Sequence, residues 1–139
     1  MAYDPSSGGV LRFGGENGGG VTNQTWLWDN GDWTLLSPTT SPPALVSASM
    51  TYDATNGEIV MFGGYTENGG LQSQTWIWDN GDWTQRTPTN EPSPRDQAAM
   101  AYDAAHGYVV LFGGDSNGID GETWIWNGTS WRPATTTGP

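Results

Sequence analysis

Nine tryptophans, 15 carboxylates, four arginines and one histidine are the side chains here with chemistry to offer; cysteine and lysine are absent. Without cysteine there is no disulfide, no thiolate metal site and no sulfur nucleophile. That absence fits any compartment and does not locate the protein. One histidine, His106, cannot build a His-based metal cluster within the chain. It aligns with Ser7 and Asn56 at a turn, and the turn explains it better than a general-base role. The "DNGD" runs at Asp29 and Asp79 hold closely spaced carboxylates. A calcium loop needs more oxygen ligands and more length, so a hairpin turn is the better reading. No catalytic, cofactor-binding or metal-ligating residue is assigned, and no stoichiometric transition metal is expected.

Tryptophans stack on sugars when they stand as exposed platforms. Trp26, Trp28 and Trp33, however, recur at fixed positions along the chain, which points to packing between repeated units. The segments most suited to binding are the least alike: Glu16 to Gln24, Tyr65 to Gln74 and Asp115 to Glu122. Glu16, Glu67, Asp115, Asp120 and Glu122 would give such loops an acidic rim; solvated loop charge is the simpler account. The net charge of −11 disfavours phosphate backbones and anionic membrane surfaces, so neither nucleic acid nor membrane is an expected partner. No apolar stretch approaches the ~20 residues of a membrane span. The start at Met1-Ala2-Tyr3-Asp4 lacks the charged and apolar regions of a signal peptide. Asn23-Gln24-Thr25 and Asn127-Gly128-Thr129 match glycosylation sequons, but both lie in repeated blocks where a chance match is easy.

The elements that position these residues come from a repeat. "MAYD" at Met1 returns as "MTYD" at Met50 and "MAYD" at Met100; "FGG" stands at Phe13, Phe62 and Phe112. "TWLWDNGDW" at Thr25 returns as "TWIWDNGDW" at Thr75 and "TWIWNGTSW" at Thr123. The period is about 50 residues, giving repeats over 1–49, 50–99 and 100–139, the first with a truncated opening strand. Each reads as four short strands. The first ends in the Tyr-Asp block. The second is Val10 to Phe13, Ile59 to Phe62 or Val109 to Phe112, and its unbroken apolar run predicts burial on both faces. The third carries Trp-x-Trp, which places Trp76 and Trp78 together on one face and Ile77 on the other. An Asn-Gly hairpin leads to the fourth, which starts at Trp33, Trp83 or Trp131.

The di-glycine, the Tyr-Asp block and the spaced tryptophans, each seen in all three repeats, resemble the kelch-repeat family, most of all bacterial arrays rich in W-x-W-D-x-x-x-W. The resemblance covers almost the whole chain. It implies an all-β, kelch-type β-propeller with three four-stranded blades, whose inter-strand and inter-blade loops gather on one partner-binding face. Family members often carry Arg-x-x-His ahead of the tyrosine block. Here Arg95 is present with Ala98 at the histidine position, and Leu45 and Ala48 stand in the second repeat. Copper oxidases on kelch-like propellers need a Tyr–Cys crosslink and paired histidines, and this sequence has neither.

The expected function is therefore a non-catalytic scaffold or protein-interaction module without cofactor. Near-identity of the tryptophan blocks is compatible with recent duplication or with design. Propellers typically close with four to eight blades, so three blades are expected to pair with three of a second copy as a six-bladed homodimer. If each open face holds ~500 Å² of apolar surface, covering it contributes ~12 kcal/mol before association costs. The chain's start within a first strand and its end soon after a fourth are read as the junction of that ring. A protein or glycan ligand on the loop face is the further expectation, and a lectin-like module is the alternative function.

Overall fold

Two turns show how the sequence sets the strands. Asn30 and Gly31 take φ of 50° and 87°, and Asn80 and Gly81 take 50° and 83°. Two consecutive left-handed residues make the type I′ turn that suits strand twist. The turns set Trp28 opposite Trp33 and Trp78 opposite Trp83. The third hairpin departs from the expected tight turn. Trp126 pairs with Trp131 across the four residues Asn127 to Ser130. Asn127 Oδ1 accepts from the N–H of Thr129 at 3.0 Å and of Ser130 at 2.9 Å, so a side chain shapes that loop.

The structure, a computed structural model describing residues 1–135, is all-β; no helix occurs among the described residues. The first unit has β1 (Ala2–Asp4), β2 (Gly9–Phe13), a small ribbon of β3 (Glu16–Asn17) and β4 (Gly20–Val21), then β5 (Thr25–Asp29) and β6 (Asp32–Leu35). The second has β7 (Ser49–Asp53), β8 (Glu58–Phe62), a ribbon of β9 (Tyr65–Thr66) and β10 (Gly70–Leu71), then β11 (Thr75–Asp79) and β12 (Asp82–Arg86). The third has β13 (Ala99–Asp103), β14 (Tyr108–Phe112), β15 (Thr123–Trp126) and β16 (Trp131–Pro133). The units form four-stranded antiparallel sheets ordered β1-β2-β5-β6, β7-β8-β11-β12 and β13-β14-β15-β16. Strand β7 lies against β1 and β13, so the opening strands of the three sheets are neighbours.

Two of the three segments expected as loops thus contain ribbons. In the third, Asp115 makes only isolated bridges, to Asp96 and Ile119. The di-glycines let these segments approach. Gly63 and Gly64 have φ of 70° and 99°, and a Cβ on Gly63 would collide with the Arg95 carbonyl. The Gly64 N–H donates to that same carbonyl at 2.9 Å. A side chain at Gly63 would therefore break the tie between the second sheet and the segment leading to the third, and one at Gly64 would crowd Val46 and Ala48 instead.

Burial on both faces is complete only in β8, within the middle sheet. Every residue of β8 is buried, whereas burial alternates along β2 and β14. The core accordingly lies in two layers, one on each side of the middle sheet.

Candidate functional site

Strand pairing sorts each sheet into two faces, because alternate residues point oppositely. One face carries the tryptophans: Trp76, Trp78 and Trp83 in the second sheet, with Ile59 and Met61 beside them. The other carries the phenylalanine that ends the second strand and the threonine that begins the third, Phe62 and Thr75, paired in register. Ile77 lies on that second face, as the alternation predicts. The ring that meets Trp78 is not Trp76, as the i, i+2 pattern suggests, but Trp83, opposite it across the strands with centroids 5.3 Å apart. Trp76 instead gives its indole N–H to Gln74 Oε1 at 2.9 Å.

The two junctions between sheets repeat one chemistry. At the first, Trp83 reaches from the second sheet to the first. Its Nε1–H donates to Thr25 Oγ1 at 2.9 Å, and its ring meets Phe13 edge-on at 5.2 Å. At the second, Trp131 Nε1–H donates to Thr75 Oγ1 at 2.9 Å, and its ring meets Phe62 edge-on at 5.4 Å. Both tryptophans are 1% exposed. An indole buried with its one polar group bonded contributes apolar burial without an unsatisfied donor.

The chain leaves one face of each kind uncovered. On the first sheet Trp28 and Trp33 are 39% and 38% exposed, with Met1, Tyr3 and Leu35 also exposed. Trp26, Trp33, Met1 and Arg12 line a groove of about 470 Å³ there. The reading of Trp26, Trp28 and Trp33 as residues packed between sheets therefore describes their counterparts in the second and third sheets, not these three in a single chain. The uncovered face of the third sheet carries Val110, Phe112 and Thr123, all half-buried, with Ile125.

Arg95 makes the second junction differ from the first. Its side chain is fully buried and donates to the Gly113 carbonyl at 3.0 Å. Its Nη2 lies 3.0 Å from Asp120 and 2.9 Å from Glu122. At the first junction the corresponding residues are Leu45, 1% exposed, with Gln72 and Gln74 in place of the two acids. A cation with two carboxylates thus replaces an apolar side chain with two amides. Asp120 and Glu122 therefore are not free rim charges, because both pair with the single Arg95 charge, leaving one net negative charge at the site. Asp115 accepts from the N–H of Asn117 and Gly118 at 3.0 and 2.8 Å, shaping its own loop. Glu16 is exposed on β3, and Glu67 is exposed in the turn between β9 and β10. Ala48 packs on the first core layer and Ala98 on the second. Each stands under the second glycine of a di-glycine pair, where a Cβ on Gly64 or Gly114 would meet it.

His106 occupies the turn between β13 and β14, exposed and stacked on Tyr108. Its Nδ1 lies 2.8 Å from Asp103 Oδ2, and that hydrogen bond draws the Asp103 carboxyl below its ordinary range. Asp53 does the same turn-shaping work with Thr55 and Asn56, and Asp4 with Ser6. Among the described residues no three His, Asp or Glu side chains converge as a metal site. No family model matches the chain, and no curated protein matches it.

The sequence signal for the tryptophan faces was present in the repeat. The signal for Arg95 was present too, in the paired change of Leu45 to Arg95 and of Gln72 and Gln74 to Asp120 and Glu122. It stays silent until the fold brings those segments together.

Proposed function

We propose that the chain is a non-catalytic scaffold of kelch-propeller type whose three sheets are blades and which associates with itself. One observation carries this reading: the tryptophan face buried in the second and third sheets is exposed in the first. Contiguous apolar patches with several aromatics mark interaction surfaces. The neighbouring opening strands β1, β7 and β13 fit blades set around an axis. Two copies bring six blades, within the usual four to eight. Light scattering at micromolar concentration then gives about twice the 14.9 kDa chain mass. A folded monomer at that concentration overturns self-association, and an open polymer overturns the two-copy ring.

The groove lined by Trp26, Trp33, Met1 and Arg12 favours a second reading, a carbohydrate platform. It sits on a sheet face rather than on the loops where a lectin site was expected. Quenching or a shift of tryptophan emission on adding neutral oligosaccharides supports it, provided Trp33→Ala abolishes the response. An unchanged spectrum removes it.

A further inference from the structure

We infer that two copies join head to tail, with Trp33 of one copy donating its indole N–H to the Thr123 hydroxyl of the other and seating its ring against Phe112. The inference rests on the self-association proposed above and specifies its register.

Its basis is that the junction already occurs twice inside the chain with the same partners. A tryptophan that opens the fourth-strand region reaches back to the preceding sheet, to the threonine that begins its third strand and the phenylalanine that ends its second. Trp83 uses Thr25 and Phe13; Trp131 uses Thr75 and Phe62. Continuing the series in either direction leaves Trp33 without threonine and phenylalanine, and Thr123 and Phe112 without tryptophan. The flanking residues match as well. Leu11 and Leu27 receive the second sheet, Val60 and Ile77 receive the third, and Val110 and Ile125 hold the same register positions on the uncovered face.

The Trp–Thr bond already made twice favours this pairing over two copies meeting tryptophan face to tryptophan face. An indole N–H only donates. The face that bears Trp33 offers it further indoles and the exposed Tyr3 phenol, and the Gln24 oxygen already accepts from Trp26 Nε1 at 3.1 Å. The third sheet's open face offers the Thr123 hydroxyl. A buried indole N–H without an acceptor weakens binding, and only the head-to-tail arrangement repeats the Trp–Thr bond made twice within the chain. A head-to-tail contact between different surfaces closes only if its rotation closes. Two copies then share two identical junctions, with all six tryptophan faces covered.

Mixing blocked copies tests the register. Trp33→Asp spoils one surface and Phe112→Asp the other, and each variant alone is expected to run as a folded monomer. Mixed, they keep one intact junction, Trp33 of the Phe112→Asp copy on Thr123 of the Trp33→Asp copy, and form a 1:1 complex. Thr123→Val, which keeps the shape and removes the acceptor, raises the dissociation constant roughly tenfold per junction. It reads the same contact should an aspartate variant fail to fold. A Phe112→Asp chain that dimerises like the parent overturns the head-to-tail register while leaving self-association standing. A mixture that stays monomeric when the parent dimerises does the same. A parent chain that is monomeric removes self-association itself, and the register with it.

Discussion

Trp33 and Trp83 occupy the same place in nearly the same sequence. Each follows Asp-Asn-Gly-Asp in an identical type I′ hairpin, and each ring meets the tryptophan opposite it at 5.4 or 5.3 Å. Yet Trp83 is 1% exposed and Trp33 is 38% exposed. The difference lies wholly in what stands beyond the sheet. Trp83 has a neighbouring sheet that supplies Phe13 and Thr25, and Trp33 has none within its chain. Local sequence builds the same aromatic surface in each sheet, and only a neighbour turns that surface into core.

The largest expected effect breaks this comparison at its buried end. Trp83→Ala should lower unfolding free energy by about 3–5 kcal/mol. Trp33→Ala should cost below about 1 kcal/mol in dilute solution, where its face is open. Urea unfolding of both variants at several protein concentrations measures the gap. If copies associate, the gap narrows as concentration rises, because binding stabilises the parent but not Trp33→Ala. Equal costs at every concentration would show that the two faces are not in different environments.

The next effect contrasts the two junctions. Arg95→Ala leaves Asp120 and the Gly113 carbonyl without their buried partner and should cost about 3 kcal/mol. Arg95→Leu combined with Asp120→Gln and Glu122→Gln rebuilds the set found at the first junction. It should recover most of that loss, since a buried ion pair exchanged for matched apolar and amide groups is often neutral. Thermal unfolding of the two variants checks this. A triple variant no more stable than Arg95→Ala would mean that the junctions need different chemistry.

A smaller effect compares threonines. Thr75→Val removes the acceptor of the Trp131 indole and should cost about 1–2 kcal/mol. Thr123→Val, at the same position on the open face, should change the stability of the dilute chain by less than about 0.5 kcal/mol. Denaturant midpoints decide between these.

The smallest concerns Glu58, where the first and third sheets carry Gly9 and Tyr108. Glu58 is 8% exposed, its Oε1 has no hydrogen-bond partner, and Arg86 lies 3.7 Å from its other oxygen. Burial raises its carboxyl above the ordinary range; Arg86 opposes this, and Asp53 and Asp79 add to it. A carboxyl raised in the folded state holds its proton more tightly there than in the unfolded chain. Its contribution to stability is therefore present at low pH and is lost as pH rises from the ordinary carboxylate range through the raised value. Glu58→Gln should raise Tm at pH 7 by roughly 2–5 °C, with the gain disappearing near about pH 4. A gain that persists in acid would assign the effect to packing instead.

The four strands of each repeat, the two Asn-Gly hairpins before Trp33 and Trp83 and the alternation of faces follow from sequence alone. The physical reason is that they depend on local geometry: Asn-Gly at positive φ fixes register, and register fixes which side chains share a face. Trp76 with Trp78 on one side and Ile77 on the other is legible this way, and so is the turn that holds His106. Contact across sheets is not local. Trp78 meets Trp83 rather than Trp76 because the hairpin sets those rings opposite each other. Arg95 meets Asp120 and Glu122 because Gly113 and Gly114 let two distant segments converge. Exposure is the least local property of all. Three repeats with the same tryptophan pattern predict three buried sets. The tertiary structure buries two and leaves the third open, because a face becomes core only when another sheet removes water from it.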